Sequence, residues 1–422
     1  MVGPANVQLM NIEGFRDLLA PDGQVVLAEA AASDVGESGL LATASRLRER
    51  YPADLVAAAL TQVRLRERGR AKFGADAARM YFTPAGLEQS TRASVAKHRA
   101  KRFATYLPPA GRVLELGCGI GADLIARTRE GVASVGVELD PLTAEVAAAN
   151  LTVFALNGPA SIRQGDATEQ DPTGFAAVFA DPGRRTARGR VFDPRSYEPP
   201  LDTILDLAGR VPAACVKVAP GIPHEALWGD AAAVRGPVEA EWVSVAGEVK
   251  EAALWLGELA GDVGRRATLI SGDADPVVET LTPVPGLGDP QVRGWGRYLY
   301  EPDGAVIRAH LVAEVAARLG GGLADPQIAY VTGDALLPTP FATAYEIEDV
   351  LPFSVKRLRA ELRRREVGVL TVKKRGSAVD VDRLRRDLGF ARKAPRGAPE
   401  MTLVLTRVGR DPIALLAHPA RV

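Results

Sequence analysis

Three glycines at alternate positions, Gly117, Gly119 and Gly121, follow the run Val113-Leu114-Glu115-Leu116. An apolar run that breaks into alternating glycines reads as a buried strand ending in a tight turn against a ligand. Glycine is required there because it lets the backbone approach closely and accepts left-handed φ. A second apolar run ends in Glu138, twenty-one residues after Gly117. A carboxylate at that interval suits a ribose, since its two oxygens accept from neighbouring hydroxyls. Two later runs also end in carboxylates, Arg163-Gln164-Gly165-Asp166-Ala167 and Val178-Phe179-Ala180-Asp181-Pro182. The chemistry expected is the holding of a nucleoside-like cofactor, with a reacting partner beside it.

Two cofactors fit the glycines. The dinucleotide fingerprint G-x-G-x-x-G/A is met by Gly117, Gly119 and Ala122, and calls for a phosphate at a helix N-terminus. The S-adenosylmethionine (SAM) pattern E/D-x-G-x-G-x-G is met by Glu115, Gly117, Gly119 and Gly121, and calls for no phosphate anchor. The downstream acids favour SAM. Glu115 is expected to hold the turn or the methionine end, and Glu138 the ribose. Asp166, with Ala167 after it, is expected at the adenine amino group. Asp181 and Pro182 close the fourth run, where a methyl acceptor sits. A sulfonium donor already carries its charge, so the protein mainly aligns the partners. A carboxylate on an acceptor amine fixes the lone pair and takes the proton. Arg184 and Arg185 follow, and either clamp a phosphate or solvate a loop. Cys118 reads as a packing residue rather than a nucleophile.

These residues need an open α/β sheet that presents its strand ends along one edge. Further strands are expected at Cys215–Ala219, Glu241–Val245, Glu251–Leu256 and Arg266–Ile270. Residues 1–104 read as helical, with one long basic helix from Leu87 to Tyr106 stopped at Pro108-Pro109. The cofactor domain is expected over 105–272. Gly272 to Pro290 is rich in Pro, Gly and Asp and reads as a linker. Residues 290–422 mix short strands and helices.

The chain has 422 residues, 47% of them hydrophobic and 25% charged, with zero net charge, so overall charge predicts no partner. The tail differs. Between Ser354 and Gly397 there are fifteen Lys/Arg against five Asp/Glu, which suggests a polyanion such as RNA. Lys373-Lys374-Arg375-Gly376 is expected as a turn whose cations meet phosphate. The two cysteines, Cys118 and Cys215, form no metal or redox spacing, so no metal is expected. No signal peptide and no membrane span is read, and a cytoplasmic protein is expected. Oligomeric state is not legible.

Three passages carry a family resemblance: Phe82 to Thr91, Leu116 to Asp123, and Asp181-Pro182-Gly183-Arg184-Arg185 with Val191-Phe192-Asp193-Pro194. With Ile347 to Phe353 in the tail, the chain resembles bacterial class I SAM-dependent methyltransferases that carry a C-terminal THUMP-like domain. The resemblance implies a Rossmann-like seven-stranded sheet, an N-terminal helical segment and a C-terminal α+β domain. THUMP domains in general bind RNA, so it also implies a methyltransferase acting on a base in tRNA or rRNA. The sequence departs from enzymes that methylate base amines in one respect. They carry Asn/Asp-Pro-Pro-Tyr/Phe, and the aromatic ring stacks on a flipped base. Here Gly183-Arg184 stands there, and either the guanidinium plane stacks on the base or Tyr197 or Phe192 supplies the ring. Two alternatives are an RNA-binding protein that keeps SAM without catalysis, and a methyltransferase with a non-RNA acceptor.

Overall fold

Apolar residues at helical spacing, with capping residues beside them, build the N-terminal elements of the computed structural model. The structure describes residues 10–420 apart from 37, 155, 184, 187–188, 191–196, 225–235, 273–275 and 391–396, and gives backbone alone at 185–186 and 189–190. Helix α1 (Ile12–Leu19) starts at Asn11, whose side chain accepts the Gly14 N–H at 2.8 Å, and it buries Phe15 and Leu18. Helices α2 (Pro21–Ala31), α3 (Leu40–Arg48) and α4 (Ala53–Phe73) follow. Their apolar faces share one core with Phe82, Ile120, Ile125 and Val146. Full burial of a side chain such as Phe15 contributes about 1.5–3 kcal/mol.

The expected single helix from Leu87 to Tyr106 is two, α5 (Pro84–Gln89) and α6 (Ala93–Tyr106). The chain turns extended at Ser90, φ −59 and ψ 144. The Lys72 ammonium donates to the carbonyls of Leu87, Glu88 and Ser90 at 2.8, 2.7 and 2.8 Å, which satisfies the open end of α5.

Nine strands form the large sheet: β1 (Arg112–Leu116), β2 (Ala133–Glu138), β3 (Ala160–Gln164), β4 (Ala177–Ala180), β5 (Ala213–Val218), β6 (Val238–Val245), β7 (Glu248–Gly257), β8 (Arg265–Ser271) and β9 (Val277–Leu281). Their order is β9-β8-β6-β7-β5-β4-β1-β2-β3. Strands β1 to β5 pair parallel, and β7 runs antiparallel to β5. The first seven are the expected Rossmann-like sheet, and β8 and β9 extend one edge. Strand β9 lies inside the expected linker. Val277 to Thr280 are exposed and only Leu281 is buried, so this edge strand has no apolar alternation to betray it. Helices α7 (Ala122–Arg129), α8 (Pro141–Thr152) and α9 (Leu201–Ala208) follow β1, β2 and β4. Strand order reverses between β2 and β4 on either side of β1, and ligands bind at such a switch point.

The chain divides into two units. One comprises Met1–Ala240, Glu251–Gly264 and Ser271–Val277, and the other Glu241–Lys250, Arg265–Ile270 and Val278–Val422. The second holds helices α10 (Gly304–Arg308), α11 (Val312–Arg318), α12 (Val355–Arg364) and α13 (Val381–Leu388). Its strands are β10 (Tyr298–Pro302), β11 (Gly322–Leu323), β12 (Val331–Gly333), β13 (Ala342–Pro352), β14 (Val369–Lys374), β15 (Glu400–Val408) and β16 (Asp411–Pro419). They order as β11-β12-β10-β13-β16-β15-β14. Leu358 and Leu362 of α12 pack with Leu384, Leu388 and Leu403. The i,i+4 spacing of each leucine pair leaves the opposite helix faces for charge. Among the described residues, no helix is long and apolar enough to cross a membrane.

Candidate active site

The glycine turn lies at the ends of β1 and β2. Gly117, Gly119 and Gly121 take φ +74°, +55° and +83°. The N–H groups of Gly117 and Cys118 both donate to the Val137 carbonyl, at 3.0 and 2.9 Å. A Cβ built on Gly117 or Gly119 would meet nothing within 4 Å, so both glycines face open space that a ligand can fill. Gly121 does not line the cleft, and its left-handed φ at the start of the helix that follows is what calls for glycine there, since a Cβ would make only ordinary contact, 3.7 Å, with that of Ala147.

Glu138 faces the same turn. Its Oε2 accepts the Gly119 N–H at 2.9 Å and its Oε1 the Asp140 N–H at 3.0 Å. The carboxylate is therefore oriented, and each oxygen keeps a lone pair for a hydroxyl. A cleft of about 550 Å³ opens here, lined by Glu115, Gly117, Gly119, Glu138 and Asp181 from the expected set. Asp123, Asp140 and the segment Thr83–Thr91 also line it, apart from Leu87 and Glu88.

That segment is a roof held by side chains far away in sequence. The Gln62 amide exchanges hydrogen bonds with the Phe82 backbone at 2.7 and 2.9 Å. Asn150 does the same for Tyr81 at 2.7 and 3.0 Å, and donates to the Ile120 carbonyl at 3.0 Å. Thr83 caps α5 through the Gly86 N–H at 2.9 Å. Gly86 is obligatory, because a Cβ would fall 2.4 Å from Ile120 Cγ2.

Beneath the cleft lies a buried ion network. Arg99 pairs with Asp123 and Glu251, and Lys217 pairs with Asp181. Lys217 also donates to Thr91 Oγ1 at 2.9 Å and lies 3.6 Å from Glu251, while Thr91 donates to Asp123 at 2.6 Å. Burial pushes the Asp123 carboxyl up, but Arg99, Lys217 and the Thr91 hydroxyl together hold it below its ordinary range. Burial likewise pushes Lys217 down, and Asp181 and Glu251 more than offset it. Glu115 pairs with buried Arg127, yet burial wins over that guanidinium and raises its carboxyl to about 7.

Other expected residues are placed differently. Asp166 and Ala167 do not line the cleft, and Asp166 Oδ1 accepts from the N–H and hydroxyl of Thr168, both at 2.7 Å. Pro182 is buried, and the adjoining Gly183 exchanges backbone hydrogen bonds with Glu198 at 2.6 and 2.9 Å. Arg184, the Arg185 side chain and Phe192 lie outside the described residues. Tyr197 is not an open stacking ring: it is 1% exposed and its hydroxyl accepts the Ala219 N–H at 2.9 Å. In the second unit, Lys373 and Lys374 end strand β14 rather than forming a turn. Lys373 pairs with Glu301 at 2.6 Å, Arg375 lies 3.9 Å from Glu301 and over the Tyr330 ring, and Lys374 donates to the Val379 carbonyl at 2.9 Å. Lys356, Arg357 and Arg363 are exposed on α12 without an ion pair among the described residues. Sequence reasoning missed Thr91, Arg99, Asp123, Lys217 and Glu251. Lys217 carried a signal, as a charge inside an otherwise apolar strand.

A Rossmann-like sheet with a glycine turn, an oriented carboxylate after the second strand and an acid after the fourth defines a fold class that binds nucleoside-containing ligands at its strand ends. The open faces of Gly117 and Gly119 and the spare lone pairs of Glu138 fit SAM. Two relatives named as uncharacterized S-adenosylmethionine-dependent methyltransferases, from two strains of Mycobacterium tuberculosis, are 36% identical over 352 residues, covering 81% of this chain and 89% of theirs. Residues 342–419 match a family described as THUMP domain-like, and residues 11–69 match a domain of unknown function. A crystal structure of a candidate methyltransferase from Porphyromonas gingivalis W83 shares the fold, with TM-score 0.68 and 23% identity over 88% of this chain and 92% of that one. The chain belongs to the SAM-dependent methyltransferases that carry a C-terminal THUMP-like domain.

Proposed function

We propose that this methyltransferase acts on a base in RNA, in tRNA or rRNA, within the cytoplasm. One observation carries the reading: the chain that holds the cofactor cleft also holds a THUMP-like segment whose helix α12 exposes Lys356, Arg357 and Arg363. Such cations contact phosphates and supply affinity independent of base sequence. In this reading residues 1–104 are a helical module, 105–272 the cofactor module and 290–422 the RNA-holding module. SAM supplies a methyl group already activated on a sulfonium. Gly117, Gly119 and Glu138 hold it, and Glu115 bounds the cleft. Asp181 accepts a hydrogen bond from the acceptor amine and so aims its lone pair. Arg184 and Arg185, three and four residues after that acid in sequence, are the proposed phosphate contacts. Lys373, Lys374 and Arg375 are weaker candidates, since their charged groups already have partners within the chain.

Mass spectrometry of nucleosides from cells with and without the gene tests the reading. One methylated nucleoside should vanish from the RNA. Unchanged nucleosides, with label from methyl-SAM entering protein or small molecules, would overturn it. Neutralising Lys356, Arg357 and Arg363 together should reduce the salt slope of RNA affinity by about 2 to 3.

A further inference from the structure

The acid at the acceptor end is not held by its own loop alone. Asp181 pairs with Lys217, which lies in the middle of the sheet on β5. The Lys217 side chain is 5% exposed and that of Asp181 23%. Asp181, Thr91 and Asp123 line the cleft, whereas Lys217 does not. Lys217 therefore acts through its partners.

We propose that Lys217 is a positioning residue for methyl transfer. It fixes Asp181 at the acceptor end and, through Thr91, ties that carboxylate to the roof over the cofactor. The proposal rests on the reading of Asp181 as the acceptor-side acid. Three features support it. A buried ion pair adds little net stability over a well-packed apolar side chain, so packing alone does not account for an ammonium in an all-buried strand. Thr91 sits at the break between α5 and α6 and has one hydroxyl that serves both sides, accepting from Lys217 and donating to Asp123. That hydroxyl joins the end of the roof to the sheet.

The third feature is charge. The groups facing Lys217 are Asp181 at the tip of β4, Glu251 on β7, Asp123 on α7, and Arg99 on α6. The paired Glu115 and Arg127 and the Cys215 thiol border this cluster. Without the ammonium, three carboxylates face one guanidinium. Asp181 is the most exposed of them, so it is the one free to turn away.

The test compares Lys217→Met, Lys217→Arg and Thr91→Val with wild type in the full-length protein. Calorimetry gives the affinity for S-adenosylhomocysteine (SAH), which needs no acceptor. The pH profile of kcat/KM is measured on whichever fraction, RNA, protein or small molecule, wild type labels from methyl-SAM. In Lys217→Met, SAH should bind within about threefold of wild type, while kcat falls about 100-fold at neutral pH. The acid limb of kcat/KM should move up, because an opposite charge has been removed. Lys217→Arg should restore the limb. Thr91→Val should weaken SAH binding and leave the limb in place. A loss in Lys217→Met that is parallel at all pH, or an SAH affinity that falls as far as kcat, would reduce Lys217 to a folding role and overturn the proposal. If Lys217→Met does not fold, Lys217→Arg and Thr91→Val decide. A shifted limb in Thr91→Val together with a loss in Lys217→Arg that is parallel at all pH would refute it. Label in protein rather than RNA removes the RNA reading but leaves this comparison intact.

Discussion

Replacing Glu138 by Gln probes the cleft at its best-defined contact. Glu138 receives the Gly119 N–H on Oε2 at 2.9 Å and the Asp140 N–H on Oε1 at 3.0 Å. Glutamine keeps the shape but has one acceptor oxygen and an NH2 group. Whichever way the amide turns, one backbone N–H faces another donor, and one ribose hydroxyl loses its acceptor. A hydrogen bond to a charged group is worth about 1.5–3 kcal/mol. At 1.4 kcal/mol per factor of ten, the hydroxyl alone should raise the dissociation constant of SAH about 10- to 150-fold. The orphaned backbone N–H is only partly buried and water can reach it, so folding stability should drop by about 1 kcal/mol. Calorimetry with SAH reads the first effect, and thermal unfolding without ligand reads the second. An SAH affinity within threefold of wild type, in a variant that unfolds normally, would mean that the ribose lies elsewhere.

Two further perturbations address the frame of the cleft. Glu115 has its carboxyl raised to about 7 by burial, against an ordinary 4.5, so the folded state binds this proton more tightly than the unfolded chain. Its contribution is complete below pH 4.5 and is lost as pH rises through 7, so Glu115→Gln should gain on wild type by about 3 kcal/mol between those limits. Urea unfolding at pH 5 and pH 8 measures the difference, and a gap that does not change with pH would refute it. Lys72→Met removes three hydrogen bonds from the end of α5. It should lower stability by about 1–3 kcal/mol and speed amide exchange across Leu87–Thr91, with SAH binding weakened less than tenfold. Unchanged exchange in that segment would show that the roof is held by other contacts.

What could be read from residue order follows from the range of the forces involved. The meeting of Gly117, Gly119 and Glu138 was legible because a strand end and its turn are local, and Glu138 stands one βαβ step away. The break at Ser90–Arg92 was not legible. It depends on Lys72 and on the link from Thr91 to Lys217, and neither partner has a fixed spacing. Gly-Asp-Ala does not show that Asp166 lies outside the cleft, although Thr168, two residues on, is placed to engage its Oδ1. The tail's charge is legible from composition, but the internal partners of its cations are not. Glu301 occupies Lys373, and Glu348, Asp349 and Glu361 surround Arg365. Strand β9 escaped because an edge strand is specified by backbone bonds more than by side-chain alternation.

The division of the chain has a genetic consequence. The polypeptide passes from one unit to the other after residues 240, 250, 264, 270 and 277. A premature stop soon after Val277 therefore strands Glu241–Lys250 and Arg265–Ile270, which belong with the lost portion. Neither unit is a simple terminal appendage of the chain. A recombinant fragment ending near residue 272 should be unsuitable for separating cofactor capture from acceptor capture, and point changes within the intact gene are the means of doing so.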